Sequence, residues 1–176
     1  MTSATLPSPL TFRFEFDGDV PNSPYLALVY RHARDLSASK NPEEEIENLF
    51  RANGWGRDMW RNGVYPYVHY HPKIHESLGV ARGSAVLRIG GDRGETLTVE
   101  AGDVLVLPAG TGHQRISPDD GFCVIGAYPP EGEYSLCRAG DQEAYVRGLQ
   151  TTPNVPVPTS DPVHGANGPL CRLWTR

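Results

Sequence analysis

Residues 63–83 read GVYPYVHYHPKIHESLGVARG and hold three of the chain's six histidines, together with a glutamate. In a β-strand, side chains two residues apart point to the same face, so we expect His69 and His71 to lie side by side. Pro72 then disfavours further strand pairing and lets the chain turn, so that Glu76 on the next strand returns toward the two imidazoles. This stretch therefore predicts a group of metal ligands on one face of a β-structure.

A second stretch supplies a further ligand. Residues 102–117 read GDVLVLPAGTGHQRIS, in which an apolar strand runs into a Pro-Ala-Gly turn and His113 follows at the start of another strand. Taken alone, a histidine pair on a strand or a single histidine is more often a surface feature than a site. Four ligand-type residues that occur together with turn residues in register favour a bound metal.

The region around these stretches is rich in short strands. Between residues 63 and 128, runs of Val, Leu, Ile and Tyr alternate with glycine-containing turns. Roughly six strands are expected on this pattern, and they fall at 63–71, 76–82, 83–91, 95–101, 103–109 with 113–117 after its turn, and 121–128. Even spacing of short strands predicts an antiparallel sandwich or barrel rather than βαβ units.

The flanking segments predict a few further elements. Residues 10–19, LTFRFEFDGD, alternate as a half-buried strand does, and 23–33, SPYLALVYRHA, form an apolar segment of open type. Residues 41–55, NPEEEIENLFRANGW, begin with a possible N-cap and a proline and end at Asn-Gly, which predicts a helix. A brief second helix is expected at 139–149. The proline-rich tail that follows is expected to dock Leu170, Leu173 and Trp174 on the body.

Composition limits the domain number and the classes of partner. The 176 residues suit a single domain, with a motif core at 63–117, an N-terminal strand and helix segment at 1–61, and a C-terminal helix and proline-rich arm at 139–176. A net charge of −5 without any Lys/Arg block disfavours nucleic acid as a partner. Three widely spaced cysteines, no leader pattern and no long apolar run predict a cytoplasmic protein without a membrane partner.

The two histidine stretches resemble the two motifs of the cupin superfamily. Residues 63–83 read G-x5-H-x-H-x4-E-x6-G, and residues 102–113 read G-x5-P-x-G-x2-H. The resemblance implies an all-β protein with minor helices, folded as an antiparallel jelly-roll β-barrel that holds one divalent metal. It also implies a homodimer. The flanking segments ENLFRANGW and DPVHGANGPL resemble the YjlB-like subgroup of this superfamily.

The resemblance assigns the metal ligands to His69, His71, Glu76 and His113. One departure is Ser117, which stands where the second motif often has an asparagine; this asparagine is usually not a ligand, so metal binding is little affected. A second open point is His75, which directly precedes Glu76 and replaces it as ligand if the turn is one residue tighter.

Three imidazoles and a carboxylate suit Fe²⁺, Mn²⁺, Ni²⁺, Co²⁺ or Zn²⁺ and argue against Cu⁺ or Ca²⁺. Such a set leaves coordination positions for substrate or water, which predicts a metal-dependent protein that acts on a small organic molecule. A dioxygenase-type oxidoreductase is the favoured expectation. The alternatives are a redox-neutral isomerase or lyase, and a small-molecule-binding or sensing module without catalysis.

Strand parity also identifies candidate catalytic residues. Tyr65 and Tyr67 share the face of His69, and Tyr67 is the preferred candidate to hydrogen-bond a bound oxygen or to transfer a proton. Arg82 shares parity with Glu76, and Arg115 with His113, so either guanidinium is a candidate to bind a substrate carboxylate. Packed aromatic rings and surface arginines are the structural alternatives for these residues.

Overall fold

The computed structural model describes residues 8–117 and 120–175, and within them the chain forms two antiparallel sheets. The strands are β1 Leu10–Phe12, β2 Ala27–Tyr30, β3 Arg57–Asn62, β4 His69–Tyr70, β5 Glu76–Arg82, β6 Ser84–Ile89, β7 Glu95–Glu100, β8 Val104–Leu107, β9 His113–Arg115, β10 Cys123–Tyr128 and β11 Cys137–Arg138. The helices are α1 Pro42–Ala52, α2 Gln142–Thr151 and α3 Pro169–Leu173. The predicted all-β, jelly-roll architecture with minor helices is confirmed. Residues 1–7 of the N-terminal segment and residue 176 of the C-terminal arm lie outside the described residues.

The larger sheet has the order β1-β2-β8-β5-β10-β3, and the smaller has the order β11-β4-β9-β6-β7. Alternate apolar side chains from both sheets meet in one buried cluster, with Leu78 and Leu105 from the larger sheet and Leu87 and Val99 from the smaller. In β7, buried residues alternate with exposed ones, because one face packs inward and the other meets solvent. The inner core therefore lies between the two sheets.

The larger sheet is covered on its outer face as well. Leu28 and Val106 point away from the inner core and pack in a second buried cluster with Phe50 of α1 and Trp174 of the C-terminal tail. Because β2 is buried on both faces, all four of its residues are buried and no alternation marks it in the sequence. This is why the apolar segment at 23–33 could not be assigned to a strand beforehand.

Helix α1 confirms the prediction at 41–55 and packs closely on β5. A Cβ added to Gly79 would lie 2.4 Å from Ile46 Cγ2 and 2.9 Å from Phe50 Cζ, so the bare backbone of β5 is what allows this approach. Asn41 occupies the N-cap position, although its side chain makes no capping hydrogen bond. The helix is thereby fixed against the strand that begins with Glu76.

Two strand predictions were wrong in extent, and one strand was not predicted. The predicted strand at 63–71 is reduced to His69–Tyr70. Pro66 cannot donate a hydrogen bond to a strand ladder, and the chain bends at Pro66 and Tyr67, before the strand begins. The strand at 10–19 is limited to Leu10–Phe12. Strand β3 was missed because RDMWRN lacks the apolar alternation of a strand, and it pairs only at the edge of the larger sheet.

The tail after α2 follows the outer face of the larger sheet and is fixed by Asp161. This buried carboxylate accepts hydrogen bonds from the Tyr30 hydroxyl and from the backbone N–H groups of Val163, His164 and Leu170. The tail docks as expected through Leu170 and Trp174, whereas Leu173 is 38% exposed because it lies on the solvent side of α3. No helix in the described part of the chain has the length and hydropathy of a membrane span.

We expect Asp161→Ala to lower the free energy of unfolding by about 3–5 kcal/mol, since it leaves several buried donors without an acceptor. Tyr30→Phe removes only one of these donors and should cost about 1 kcal/mol. Urea unfolding of both variants measures the difference. Equal losses would contradict the assigned role of the carboxylate.

Candidate metal centre

Two of the predicted ligands face each other across neighbouring strands. His69 in β4 is the register partner of His113 in β9, and their ring centroids lie 4.1 Å apart. His71 follows β4 directly, with its ring 5.8 Å from that of His69 and 5.9 Å from that of His113. All three side chains are buried, and one ring nitrogen of each lies within 4.8 Å of the other two. The smaller sheet thus presents three imidazoles at one point.

Backbone carbonyls orient these imidazoles. The Nδ1 atoms of His69, His71 and His113 lie 3.1, 2.7 and 3.0 Å from the carbonyl oxygens of Tyr67, Ser135 and Thr111, respectively. Because a carbonyl oxygen only accepts hydrogen bonds, each Nδ1 carries the proton of the neutral ring. The Nε2 lone pairs are then left to point at the centre, which is the arrangement that second-shell hydrogen bonds create around metal-binding histidines.

Glu76 reaches the same point from the opposite sheet, as the first residue of β5. Its Oε1 lies 3.4 Å from His71 Nε2, and its Oε2 lies 3.2 Å from His113 Nε2. Oε1 accepts a hydrogen bond from the Tyr128 hydroxyl at 3.2 Å, whereas Oε2 is buried without a hydrogen-bond partner. A buried carboxylate oxygen that faces an imidazole lone pair is an arrangement that a cation stabilises.

The electrostatics favour the ligand forms of His69 and Glu76, whereas the carboxylate shifts His71 toward its protonated form. Burial, reinforced by the neighbouring His113, lowers the pKa of His69 to about 3, so this ring is neutral near pH 7. Burial raises the pKa of Glu76, but His71 and His113 outweigh burial and hold this pKa well below its usual range. Burial also lowers the pKa of His71, and the attraction of Glu76 outweighs it, so the net pKa is raised. Three imidazoles and an ionised carboxylate are a donor set that fits a divalent transition metal.

A cavity of about 240 Å³ opens onto the Nε2 atoms. Its wall is mostly aromatic and aliphatic, and the side chains that contribute include Trp60, Tyr65, Tyr128, Tyr134, Val64, Leu78 and Leu136. The Trp60 Nε1–H donates to the Tyr128 hydroxyl at 2.9 Å, and that hydroxyl in turn donates to Glu76. Two wall residues therefore hold the carboxylate in position.

Trp60 reaches this place because β10 lacks a side chain beneath it. Gly126 is the register partner of Trp60, and a Cβ added there would lie 2.0 Å from Cε2 of the indole. The glycine lets the ring lie against the strand. The cavity wall thus depends on a position without any side chain.

His75, the alternative ligand to Glu76, lies apart from this group. Its Nδ1 accepts from the backbone N–H of Ala109 at 2.9 Å, and its Nε2 donates to the Pro156 carbonyl at 3.1 Å. It packs beside Trp174 on the outer face of β5. Adjacent residues in a strand point to opposite faces, so only Glu76 faces the histidines.

The candidate catalytic residues lie at other places. Tyr67 stacks on Tyr65 and carries the Arg138 guanidinium 3.8 Å above its ring, so it lies beside His69 but does not line the cavity. Arg82 forms a bidentate ion pair with Glu43 of α1 on the outer face. The Arg115 guanidinium donates to the carbonyls of Val64 and Ser117. The structure does not bring either arginine to the cavity.

Sequence reasoning missed Trp60, Tyr128 and Tyr134 as residues of the site. Trp60 lies in the unrecognised strand β3, and Tyr128 ends a predicted strand whose inward face could not be chosen from its apolar pattern. Tyr134 lies outside any strand, with its ring 5.3 Å from that of His71. The spacing Gly126-x-Tyr128 places both on one face, and it is the sequence signal that was available.

The chain is similar to several known proteins, and to one of them over nearly its whole length. No protein-family model matches it. It is 33% identical over 168 residues to the uncharacterized protein YjlB of Bacillus subtilis (strain 168), a match that covers 94% of this chain and 96% of that protein. Among solved structures it is similar to acireductone dioxygenase from Bacillus anthracis with cadmium in its active centre (TM-score 0.39, 16% identity, 60% of this chain and 80% of that one). It is also similar to a conserved protein with a double-stranded β-helix domain from Klebsiella pneumoniae (TM-score 0.35, 14% identity, 78% and 84%).

We expect His75→Ala to lower the free energy of unfolding by about 2–4 kcal/mol, because a buried donor and a buried acceptor lose their partners. The metal content of the folded chain should not change, in contrast to His71→Ala. Elemental analysis of the two variants, each checked for folding by circular dichroism, makes the comparison. Loss of metal in both would return His75 to the ligand set.

We expect Tyr128→Phe to weaken metal binding by at least about tenfold, because Glu76 loses the hydroxyl that positions it. Tyr70→Phe is the matched control, since Tyr70 is buried on the other face of β4, where it packs near α2. Competition with a chromogenic chelator measures both affinities. An unchanged affinity in Tyr128→Phe would show that this hydroxyl does not support the carboxylate.

Proposed function

Because the chain belongs to the YjlB family of cupin proteins, we propose that it is a metalloprotein that acts on a small organic molecule. The proposed ligands of its single divalent ion are His69, His71, Glu76 and His113. The observation that carries this proposal is the meeting of three inward Nε2 atoms with the partnerless Oε2 of Glu76 inside a buried cavity. The donor set admits Fe²⁺, Mn²⁺, Ni²⁺, Co²⁺ and Zn²⁺.

We favour a dioxygenase-type oxidation among the reactions open to such a site. The cavity wall offers no acid or base that titrates near neutrality apart from the proposed ligands, as far as the described residues show. Phenols have a pKa near 10, and burial raises the pKa of Tyr128 and of Tyr134 further. An isomerase or a lyase needs a general base beside the substrate, whereas oxidation by dioxygen depends less on one.

The chain's own residues prepare this reaction in distinct ways. Tyr128, held by Trp60, fixes the carboxylate of Glu76, so that the ligand set is organised before substrate enters. The aromatic wall excludes water, and Tyr134, which is 52% exposed, lies where substrate passes. A metal ion bound here supplies Lewis-acid and redox chemistry.

We also propose a homodimer in a reducing compartment, the cytoplasm. The three cysteines form no disulfide with one another, and β3 and β7 lie at the edges of the two sheets as far as the chain is described, where a second copy can pair. Light scattering of the purified chain tests the dimer directly.

We expect the chain, purified without a histidine tag, to contain about one transition metal per chain, and His113→Ala to retain less than about a tenth of it. His32→Asn is the matched control: His32 is exposed, and asparagine tolerates its positive φ. Elemental analysis measures all three proteins. Equal metal in wild type and His113→Ala would refute the proposed centre.

The identity of the metal and the oxygen consumption then separate the reaction classes. Iron or manganese together with oxygen uptake that depends on an added organic substrate supports the dioxygenase. Zinc or nickel with turnover but no oxygen uptake points to the isomerase or lyase. Binding without turnover of any compound tested identifies a sensing module.

A further inference from the structure

The cavity above the proposed metal centre has aromatic walls, and no positive charge of the described residues is directed into it. Trp60 is fixed between Gly126 and the Tyr128 hydroxyl, so its indole forms a rigid wall. Tyr134 packs edge to face against Tyr128, with ring centroids 5.5 Å apart. Faces and edges of this kind favour a flat ring as the guest.

The one cationic residue along the wall, among the described residues, is Arg61, and its charge is directed elsewhere. Arg61 is the register partner of Ile125, whose side chain belongs to the outer cluster covered by α1. Its Nε donates to Glu47 of α1 at 2.6 Å. The guanidinium therefore lies behind the strand and leaves only its backbone near the cavity.

Two further arginines near the mouth are already engaged. Arg138 lies over the ring of Tyr67 at 3.8 Å, and Arg115 donates to backbone carbonyls. A guanidinium in either arrangement gives up contacts if it swings toward the metal. A guest in the cavity thus meets no described side chain that carries a positive charge.

Charge and size then limit the guest. A divalent ion beside the single carboxylate of Glu76 leaves one net positive charge, which a singly ionised guest neutralises. A dianion would place an uncompensated negative charge in a cavity of low polarity. The volume of about 240 Å³ lies below the range of drug-sized pockets, which begins near about 300 Å³, and suits a single ring.

We infer that this site binds flat, single-ring molecules that are uncharged or singly ionised and offer two adjacent oxygens, the chemistry of a 1,2-diphenol, and that it rejects small dicarboxylates. The inference rests on the proposed metal centre, because the two oxygens need open coordination positions. Tyr134 is the residue that sets specificity for the ring, since it lies at the mouth and contacts the rings of His71 and Tyr128.

The test uses the full-length chain loaded with Zn²⁺, which does not itself oxidise the probe, with excess zinc removed and the zinc content of each sample measured. Calorimetric titrations compare 4-nitrocatechol with oxalate, two probes that chelate through adjacent oxygens. We expect 4-nitrocatechol to bind at least about tenfold more tightly than oxalate, because only oxalate brings a second negative charge.

Variants separate the ring contact from the charge effect. Tyr134→Ala should weaken the binding of 4-nitrocatechol roughly three- to tenfold, which corresponds to the free energy of one lost aromatic pair. The matched control Phe16→Ala removes an exposed ring that does not line the cavity and should leave this affinity unchanged. Leu136→Arg adds a cation to the wall and should tighten oxalate binding severalfold.

Contrary outcomes are distinguishable. If the zinc-loaded chain binds oxalate as tightly as 4-nitrocatechol, the inferred selectivity is wrong while the metal centre stands. If Arg138→Ala abolishes that oxalate binding, Arg138 supplies the cation and the inference is equally overturned. If wild type retains no more zinc than His113→Ala, the proposed centre fails, and the inference fails with it.

Discussion

The whole structure depends on bringing one buried carboxylate to three imidazoles that belong to the opposite sheet. Glu76 begins a strand of the larger sheet, whereas His69 and His113 are register partners in the smaller one. Only the closure of one sheet over the other places these side chains within reach. The closure of the two sheets that builds the jelly-roll is therefore also what brings the residues of the site together.

The strand that carries Glu76 is also held by contacts on its outer face, away from the cavity. On the outer face of β5, α1 packs on the bare backbone of Gly79, and His75 is fixed between Ala109 and Pro156. The strand that carries Glu76 is thus held from both faces. A carboxylate on a strand held in this way keeps its direction in the absence of substrate.

The strand and turn pattern was enough to predict an antiparallel sandwich or barrel and a group of possible ligands on one face of it, because these positions are set by local strand and turn chemistry. The jelly-roll topology was predicted only through the resemblance to cupins. Segments buried on both faces do not alternate between apolar and polar residues, so the sequence does not show that β2 is a strand. The edge strand β3, with its charged residues, was missed, and Trp60 was missed with it.

The positions of Tyr128 and Tyr134 in the cavity wall depend on which face of β10 turns inward and on how a loop packs, respectively. Neither is encoded in short-range periodicity. Arg82 and Arg115 have the parity of the proposed ligands, but Arg82 pairs with Glu43 of α1 and Arg115 donates to backbone carbonyls.

Some of the residues that pack behind β5 are synthesised late. The proposed ligands have all been synthesised once residue 113 is added, yet the carbonyl that accepts from His75 belongs to Pro156, and the ring that packs beside His75 belongs to Trp174. A nascent chain that has completed both histidine motifs already contains α1 but still lacks the C-terminal part of the outer layer of its larger sheet. Pro156 and Trp174 therefore complete the support of His75, the residue next to Glu76, only after both histidine motifs have been synthesised.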